Sequence, residues 1–163
     1  AITDSLVGSE MCIRDRSLPV VVAALGPQML KLTAELADGT NTWMVGPKTM
    51  EEHIMPCFEA SGNYSPEIVA GMPIVLTNNI DHAKESIGKS LAVYGQLPSY
   101  RAMLDREGAV GPADIAIIGD ENKLGGEIKR LESLGVTDFN AAIMDVEDGA
   151  YHRTLEFLGS LRP

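Results

Sequence analysis

Short apolar runs alternate with helical spacings along this chain. Four runs, centred near residues 20, 42, 72 and 141, predict strands. Between them, apolar residues recur every three or four positions, which predicts helices over about 27–37, 50–60, 80–94, 99–106, 121–134 and 151–161. The apolar segment 113–118 is ambiguous. Alternating strands and helices predict a parallel α/β sheet, either open and doubly wound or half of an eight-stranded barrel.

Two junctions share the order strand, Gly-Pro, helix. Gly26 and Pro27 follow the first run, and Gly46 and Pro47 follow the second. Glycine lets a ligand approach the backbone, proline suits the first helical position, and the free N–H groups carry the positive end of the helix dipole. Each junction therefore predicts an anion site. No G-x-G-x-x-G follows the first strand, which favours the half barrel over a dinucleotide-binding sheet.

Local signals refine the predicted elements. Residues 49–52 read as a capping box for the second helix. Asp120 is the predicted cap of a later helix, and Gly135 is predicted to be left-handed at that helix's end. Gly71 and Pro73 are expected to bend or interrupt the strand over 67–77.

Charge and composition exclude several classes of function. The net charge is −10, and basic residues form no cluster larger than a pair, so nucleic acid is not expected as a partner. The longest apolar run is too short to span a membrane. Cys12 and Cys57 stand alone, and the three histidines lack metal-ligand spacing, so neither a disulfide framework nor a metal site is predicted. These features suit a soluble, cytoplasmic protein.

The first residues differ in character from the rest. The string from Ser5 to Arg16 has no strand or helix periodicity and resembles a translated transposase-type sequencing adapter. We therefore expect residues 1–16 to be a non-native segment and residues 17–163 to be part of a longer domain. A signal peptide or a natural N-terminal arm is the alternative.

The chain offers no recognisable catalytic set. His53 and His82 lie in predicted helices beside acidic residues, and both are expected to be solvated. No nucleophile, base and orienting group occur together in the sequence. The catalytic residues are therefore unknown at this stage.

Several motifs together resemble the luciferase-like monooxygenase family, and within it the coenzyme F-420-dependent oxidoreductases. They are Ala-Ala-Leu-Gly-Pro at 23–27, Ala-Asp-Gly at 37–39, Gly-Pro at 46–47, Leu-Ala-Val-Tyr at 91–94, Pro-Ser-Tyr-Arg-Ala-Met-Leu-Asp at 98–105 and Leu-Gly-Val-Thr-Asp-Phe at 134–139. The resemblance spans residues 17–163. Members are (β/α)₈ barrels of about twice this length, which implies that the chain is their C-terminal half.

The resemblance also implies a cofactor and a reaction. The expected cofactor is F-420, with FMN as the alternative, and hydride would pass between it and an unknown small organic substrate. Its phosphate-bearing tail would contact two loops and one arginine. The implied cofactor-binding residues are Ala23, Ala24, Gly26 and Pro27 in the first loop, Trp43, Val45, Gly46 and Pro47 in the second, and Arg101. Trp43 could equally be a packing residue.

The partial domain leaves two alternatives for the chain itself. It could be a non-catalytic fragment or a phosphate-ligand-binding α/β domain. If instead the resemblance to the oxidoreductases holds, it implies that the acid or base comes mainly from loops of the other half of the barrel. Half a barrel has two unpaired strand edges, so we expect it to dimerise through them or to expose an apolar patch beside residues 18–25. A homodimer is expected of the full-length protein.

Overall fold

The computed structural model describes residues 18–161, which form one parallel sheet with helices between its strands. The adapter-like segment predicted at 1–16 lies outside these residues. The four predicted strands are confirmed, and the ambiguous segment supplies a fifth. The strands are β1 Val21–Ala23, β2 Gly39–Trp43, β3 Glu67–Leu76, β4 Ile117–Gly119 and β5 Asp138–Ile143.

Within residues 18–161, six α-helical stretches lie between the strands and a seventh follows β5. They are α1 Pro27–Leu36, α2 Pro47–Thr49, α3 Met55–Ser61, α4 Ile80–Ser90, α5 Pro98–Glu107, α6 Glu121–Ser133 and α7 Ala150–Ser160. Two 3₁₀ turns, Ala92–Gly95 and Pro112–Asp114, flank α5. The helix predicted over 80–94 is therefore shorter than expected, because its last turn tightens into the first of these 3₁₀ turns.

A π-helical turn, Met50–Ile54, joins α2 to α3. Here the Met55 N–H donates to the carbonyl of Met50, five residues back. Pro56 follows at once and has no N–H, so regular α-helical bonding could not continue unbroken through this point. The predicted capping box is wrong: the helix begins at Pro47 with Gly46 as its N-cap, and Thr49 already lies in the first turn.

β3 is the centre of the sheet and has three partners. It pairs with β2 over 67–71, with β5 over 69–74 and with β4 over 74–76. Since β5 pairs with β3 alongside both other strands, β2 and β4 share the opposite edge of β3, one after the other. β1 pairs with the far side of β2.

β3 runs without a break through Gly71 and Pro73, so the predicted interruption is wrong. The carbonyls of Val69 and Gly71 accept bonds from β2 and from Met44, so the odd-numbered backbone groups of β3 point to that side. The nitrogen of Pro73 therefore faces the gap between the end of β2 and the start of β4. No ladder partner is lost there, which is why a central strand tolerates proline.

The two faces of the sheet differ. One face carries the main core, in which β3 side chains pack against α1, α3 and α6. The other, which we call the open face, carries the registered row Ala23, Asn41, Val69 and Asp138. Three of these four residues are exposed, and Val69 is half-buried. Helix α4 covers only the carboxyl end of this face, through Val75.

Both outer edges of the sheet lack a partner within residues 18–161. β1 pairs only with β2, and β5 only with β3. Leu18 and Val20, just before β1, are 78% and 55% exposed. Two apolar side chains are thus exposed just before the first strand, and a continuous apolar patch there stays a prediction. None of the helices in the described part of the chain is long and apolar enough to cross a membrane.

Candidate functional site

The predicted site lies where the strands end. In a parallel sheet the carboxyl ends of neighbouring strands meet at one rim, and β1 and β2 are neighbours. The structure therefore brings the two predicted Gly-Pro junctions to the same rim, where α/β enzymes place their sites. A third junction, Gly111 and Pro112, opens the second 3₁₀ turn.

The Gly26–Pro27 junction is open. Gly26 is the N-cap of α1, Pro27 is its first residue, and no side chain caps this helix end. The first turn of α1 contains no acidic residue. A Cβ added at Gly26 would meet nothing within 4 Å. The backbone donors that start α1 thus have no side-chain cap among residues 18–161, and the positive end of the helix dipole lies at this point.

His53 fixes the backbone just before this junction. Its Nε2–H donates to the carbonyl of Leu25 at 2.9 Å, and the residue is only 8% exposed. The prediction that His53 is solvated is therefore wrong. The apolar positions Met50 and Ile54 on the same helical side could have indicated burial, but nothing local indicates the bond to Leu25.

Cys57 lies one turn further along this helix. Its Sγ–H donates to the carbonyl of His53 at 3.2 Å. Burial raises the pKa of the Cys57 thiol, and the positive charge of Arg106 offsets only part of this rise. The thiol is thus held neutral as a packing group at ordinary pH.

A carboxylate fills the Gly46–Pro47 junction. The Thr49 N–H donates to Oε1 of Glu107, at the end of α5, at 2.5 Å. A Cβ added at Gly46 would come within 2.5–2.8 Å of the Glu107 carboxyl group. Glycine at this position thus leaves room for the carboxylate, and the anion at this junction belongs to the chain itself.

The third junction is also capped from within. Oδ2 of Asp114 accepts from the N–H groups of Val110 and Gly111, at 2.9 and 3.0 Å. Of the three Gly-Pro junctions in the described residues, only the one at Gly26 lacks an acidic side chain. The Gly26 junction therefore differs from the other two in that no side chain caps the start of its helix.

Trp43 ends β2 on the open-face side of the sheet. Its ring packs over Gly71, where an added Cβ would lie 2.9 Å from Cε3. It also meets Tyr94 edge to face, with centroids 6.1 Å apart, and Tyr94 meets Tyr100 in the same manner at 5.0 Å. The indole Nε1 is buried without a hydrogen-bond partner among residues 18–161. A buried donor without a partner is costly and therefore rare in folded proteins.

The backbone turns sharply after Trp43. Met44 is left-handed, with φ 56°, although its side chain is buried. A non-glycine residue is strained in this conformation, and such strain concentrates at sites where function fixes the chain path.

The other predicted residues differ in which of their atoms a ligand could reach. Ala23 is exposed on the open face, whereas Ala24 and Val45 are buried in the main core. Ala24 and Val45 can therefore reach a ligand only through their backbone atoms. Pro47 is half-buried beside Glu107.

Arg101 is fully engaged within its own segment. Its guanidinium bonds Asp105 one turn on and the carbonyls of Ala109 and Val110, at 2.6–2.9 Å. These contacts hold the end of α5 against the following loop. A phosphate contact for Arg101 stays a prediction.

A large cleft adjoins the second junction. It has a volume of about 810 Å³ and runs from Pro47 and Glu107 to the carboxyl end of β4 and the first turns of α6. Its walls mix cations and carboxylates, among them Lys84, Asp114 and Lys123. Within residues 18–161, no group of three or more acidic, histidine or cysteine side chains could hold a metal ion.

Comparison with known proteins agrees with this architecture. The chain resembles a solved F-420-dependent secondary alcohol dehydrogenase in complex with an F-420–acetone adduct, at TM-score 0.65 and 19% identity, over 91% of this chain and 50% of that one. It also resembles the coenzyme F-420-dependent tetrahydromethanopterin reductase of Methanopyrus kandleri, at TM-score 0.66 and 19% identity, over 87% and 49%. No curated protein matches at the sequence level.

A third resemblance involves a flavin enzyme. It is the oxygenating constituent of 3,6-diketocamphane monooxygenase from Pseudomonas putida, solved with FMN, at TM-score 0.55 and 11% identity, over 85% of this chain and 46% of that one. At these identities the structures establish the fold alone. The chain spans about half the length of each.

These findings define the chain as half of a (β/α)₈ barrel, which confirms the predicted fold class. The sequence profile of the luciferase-like monooxygenases matches residues 7–152. The chain therefore belongs to the luciferase-like monooxygenase family, as its motifs predicted.

Proposed function

We propose that this chain is the cofactor-tail half of an oxidoreductase that moves hydride between coenzyme F-420, or alternatively FMN, and a small organic substrate. Family membership and the F-420- and FMN-dependent enzymes of the same fold support the class of reaction. The deazaflavin or flavin ring would supply the hydride chemistry, and the protein would bind and orient it.

The open junction at Gly26 carries the proposal. A phosphate needs donors, positive potential and room for close approach, and the start of α1 provides all three without a basic side chain. This matters because the protein is strongly acidic and offers few cations. Ala23, Ala24 and Pro27 lie directly beside the donors and form the remainder of this loop.

The residues around the second junction fit a neighbouring role. Trp43 offers an apolar face and an unpaired Nε1–H near the end of β2. Val45, Gly46 and Pro47 follow it, with Glu107 already on the Thr49 N–H. We assign this loop to the uncharged part of the cofactor, since a second phosphate would have to displace the Glu107 carboxylate.

The test is a binding titration of the chain with F-420 and with FMN. Trp43 is the only tryptophan, so its emission reports on the loop after β2 while cofactor fluorescence reports on total binding. Saturable binding of F-420, competed weakly by inorganic phosphate, supports the proposal. Stronger binding of FMN selects the alternative cofactor.

Two other results would contradict the proposal. Binding of phosphate with no added affinity for either ring would define a phosphate-ligand-binding domain. Absence of binding of all three ligands would leave the chain as a non-catalytic part of the fold.

A further inference from the structure

We infer that His53 is a positioning residue for the phosphate at the Gly26 junction. The inference rests on the proposed function, in which the backbone donors at the start of α1 bind the phosphate of the cofactor. His53 acts on that phosphate through the peptide bond between Leu25 and Gly26, whose carbonyl it holds at 2.9 Å.

The chain path into α1 leaves one rotation to be fixed. The ring of Pro27 sets the φ angle of that residue, and a residue before proline is confined to extended conformations. Gly26 is extended accordingly, with φ −75° and ψ 148°. The rotation that remains is that of the Leu25–Gly26 peptide plane. Glycine leaves this rotation unusually free, and no side chain caps the helix to limit it.

The bond from His53 holds this peptide plane. A carbonyl oxygen only accepts, so Nε2 of the imidazole carries the hydrogen. The Leu25 carbonyl and the Gly26 N–H belong to one trans peptide and point in opposite directions. Fixing the carbonyl toward His53 therefore fixes the direction of the Gly26 N–H. It also fixes the direction in which α1 begins, and with it the N–H groups of Gln28 and Met29.

His53 is itself held in place before any ligand binds. It is buried, whereas the preceding Glu51 and Glu52 are exposed. It lies in the π-helical turn, whose extra residue shifts the helical phase by about 100° and re-aims the side chains around it. The Cys57 thiol donates to the His53 carbonyl at 3.2 Å and ties this turn to the helix that follows. The donor to Leu25 is thus preorganised, which lowers the entropic cost of keeping the loop in one conformation.

A structural role alone and a positioning role predict different results. A buried bond that only stabilises the fold would lower the free energy of unfolding and leave the phosphate affinity of the folded chain unchanged. A positioning bond would lower both quantities. The experiment therefore measures affinity and stability on the same variants of the full chain.

The variants remove the donor and then restore it. His53→Phe keeps a ring without an N–H, and we expect it to weaken the binding of inorganic phosphate about tenfold, the equivalent of one charge-assisted hydrogen bond. His53→Gln carries an amide N–H and should recover part of the affinity. Amide NMR titrations give the dissociation constants, because the Gly26 signal reports the bound phosphate at the junction itself. Urea denaturation gives the stability.

Thr154→Val is the matched control. The Thr154 hydroxyl is also buried and bonded to the backbone, since its oxygen accepts from the Leu76 N–H at 2.9 Å. It lies on α7, which packs on β3 and β5, at the other side of the sheet from β1. This variant should lower the free energy of unfolding and leave the phosphate affinity unchanged.

The outcomes separate this inference from the proposed function. A tenfold loss in His53→Phe with no loss in Thr154→Val supports the inference, and it does so even if neither F-420 nor FMN binds, in which case only the proposed function fails. Equal affinity of the unmodified chain and His53→Phe overturns the inference and leaves the proposed function standing. Equal losses in His53→Phe and Thr154→Val overturn it as well. A Gly26 signal that phosphate does not move overturns both.

Discussion

The junctions at Gly26 and Gly46 both place a Gly-Pro pair at the start of a helix on the same rim of the sheet. They differ in charge, because only the junction at Gly46 holds an acidic side chain. At Gly46 the Glu107 carboxylate sits on the Thr49 N–H and against the glycine. At Gly26 the same position is empty, and no acidic residue lies in the first turn. A Gly-Pro turn thus defines a place for an anion, while residues far away in sequence decide whether the protein supplies that anion itself.

The largest effect is expected when the open junction is blocked. Gly26→Val should weaken F-420 binding by about a hundredfold, since the loss of one or two charge-assisted bonds costs about 1.5–3 kcal/mol each. The fold should be unchanged, because a Cβ at this position would meet nothing within 4 Å. Cofactor fluorescence measures the affinity. Gly111→Val is the matched control, since that glycine also precedes a proline and has open space but is capped by Asp114.

His53 gives the next effect. His53→Ala leaves the carbonyl of Leu25 without its donor and should cost about 2 kcal/mol of unfolding free energy. His53→Gln keeps an N–H at similar reach and should recover part of the loss. Urea denaturation measures both. Equal stability of the two variants would show that the bond to Leu25 contributes nothing.

Breaking the internal cap should have a smaller cost. Glu107→Ala removes the acceptor of the Thr49 N–H, and we expect a loss of about 1 kcal/mol, as for other helix caps. Glu107→Gln should lose less, since an amide oxygen still accepts. Glu132→Ala, an exposed glutamate on α6, is the control for a change of charge alone.

The smallest effect is expected when either glycine is replaced by alanine. Gly46→Ala forces the Glu107 carboxyl group to shift and should cost about 0.5 kcal/mol, because the far end of a flexible side chain can give way. Gly26→Ala should be neutral within that range. In a Glu107→Ala background the cost at Gly46 should vanish. A cost that persists there would trace to the backbone and not to the carboxylate.

Local patterns predicted most of the fold. Asp120 caps α6 as expected, accepting from the Lys123 N–H at 2.8 Å, and Gly135 is left-handed with φ 92°. These features depend on residues within one or two turns of each other. Four of the five strands follow from the same kind of local signal, whereas β4 begins in the segment whose type the pattern leaves ambiguous.

The site was predicted less completely, because its decisive contacts are distant in sequence. Glu107 reaches Thr49 across 58 residues, and His53 reaches Leu25 across 28. The predicted interruption of β3 at Pro73 was wrong for a similar reason. Proline is tolerated at this position only because β2 ends before it. No spacing rule contains this information.

The position of β4 has a consequence for how the family can vary. The chain leaves β3 at its end and returns beside that end, where the Thr77 N–H donates to the carbonyl of Gly119 at 2.9 Å. The segment between Thr77 and Gly119 thus begins and ends beside the same strand. Doubling the length of a connecting loop in such a segment costs only about 0.6 kcal/mol. This segment also contains Glu107. Replacing the whole segment would therefore change the charge at the Gly46 junction, while the strands keep their register.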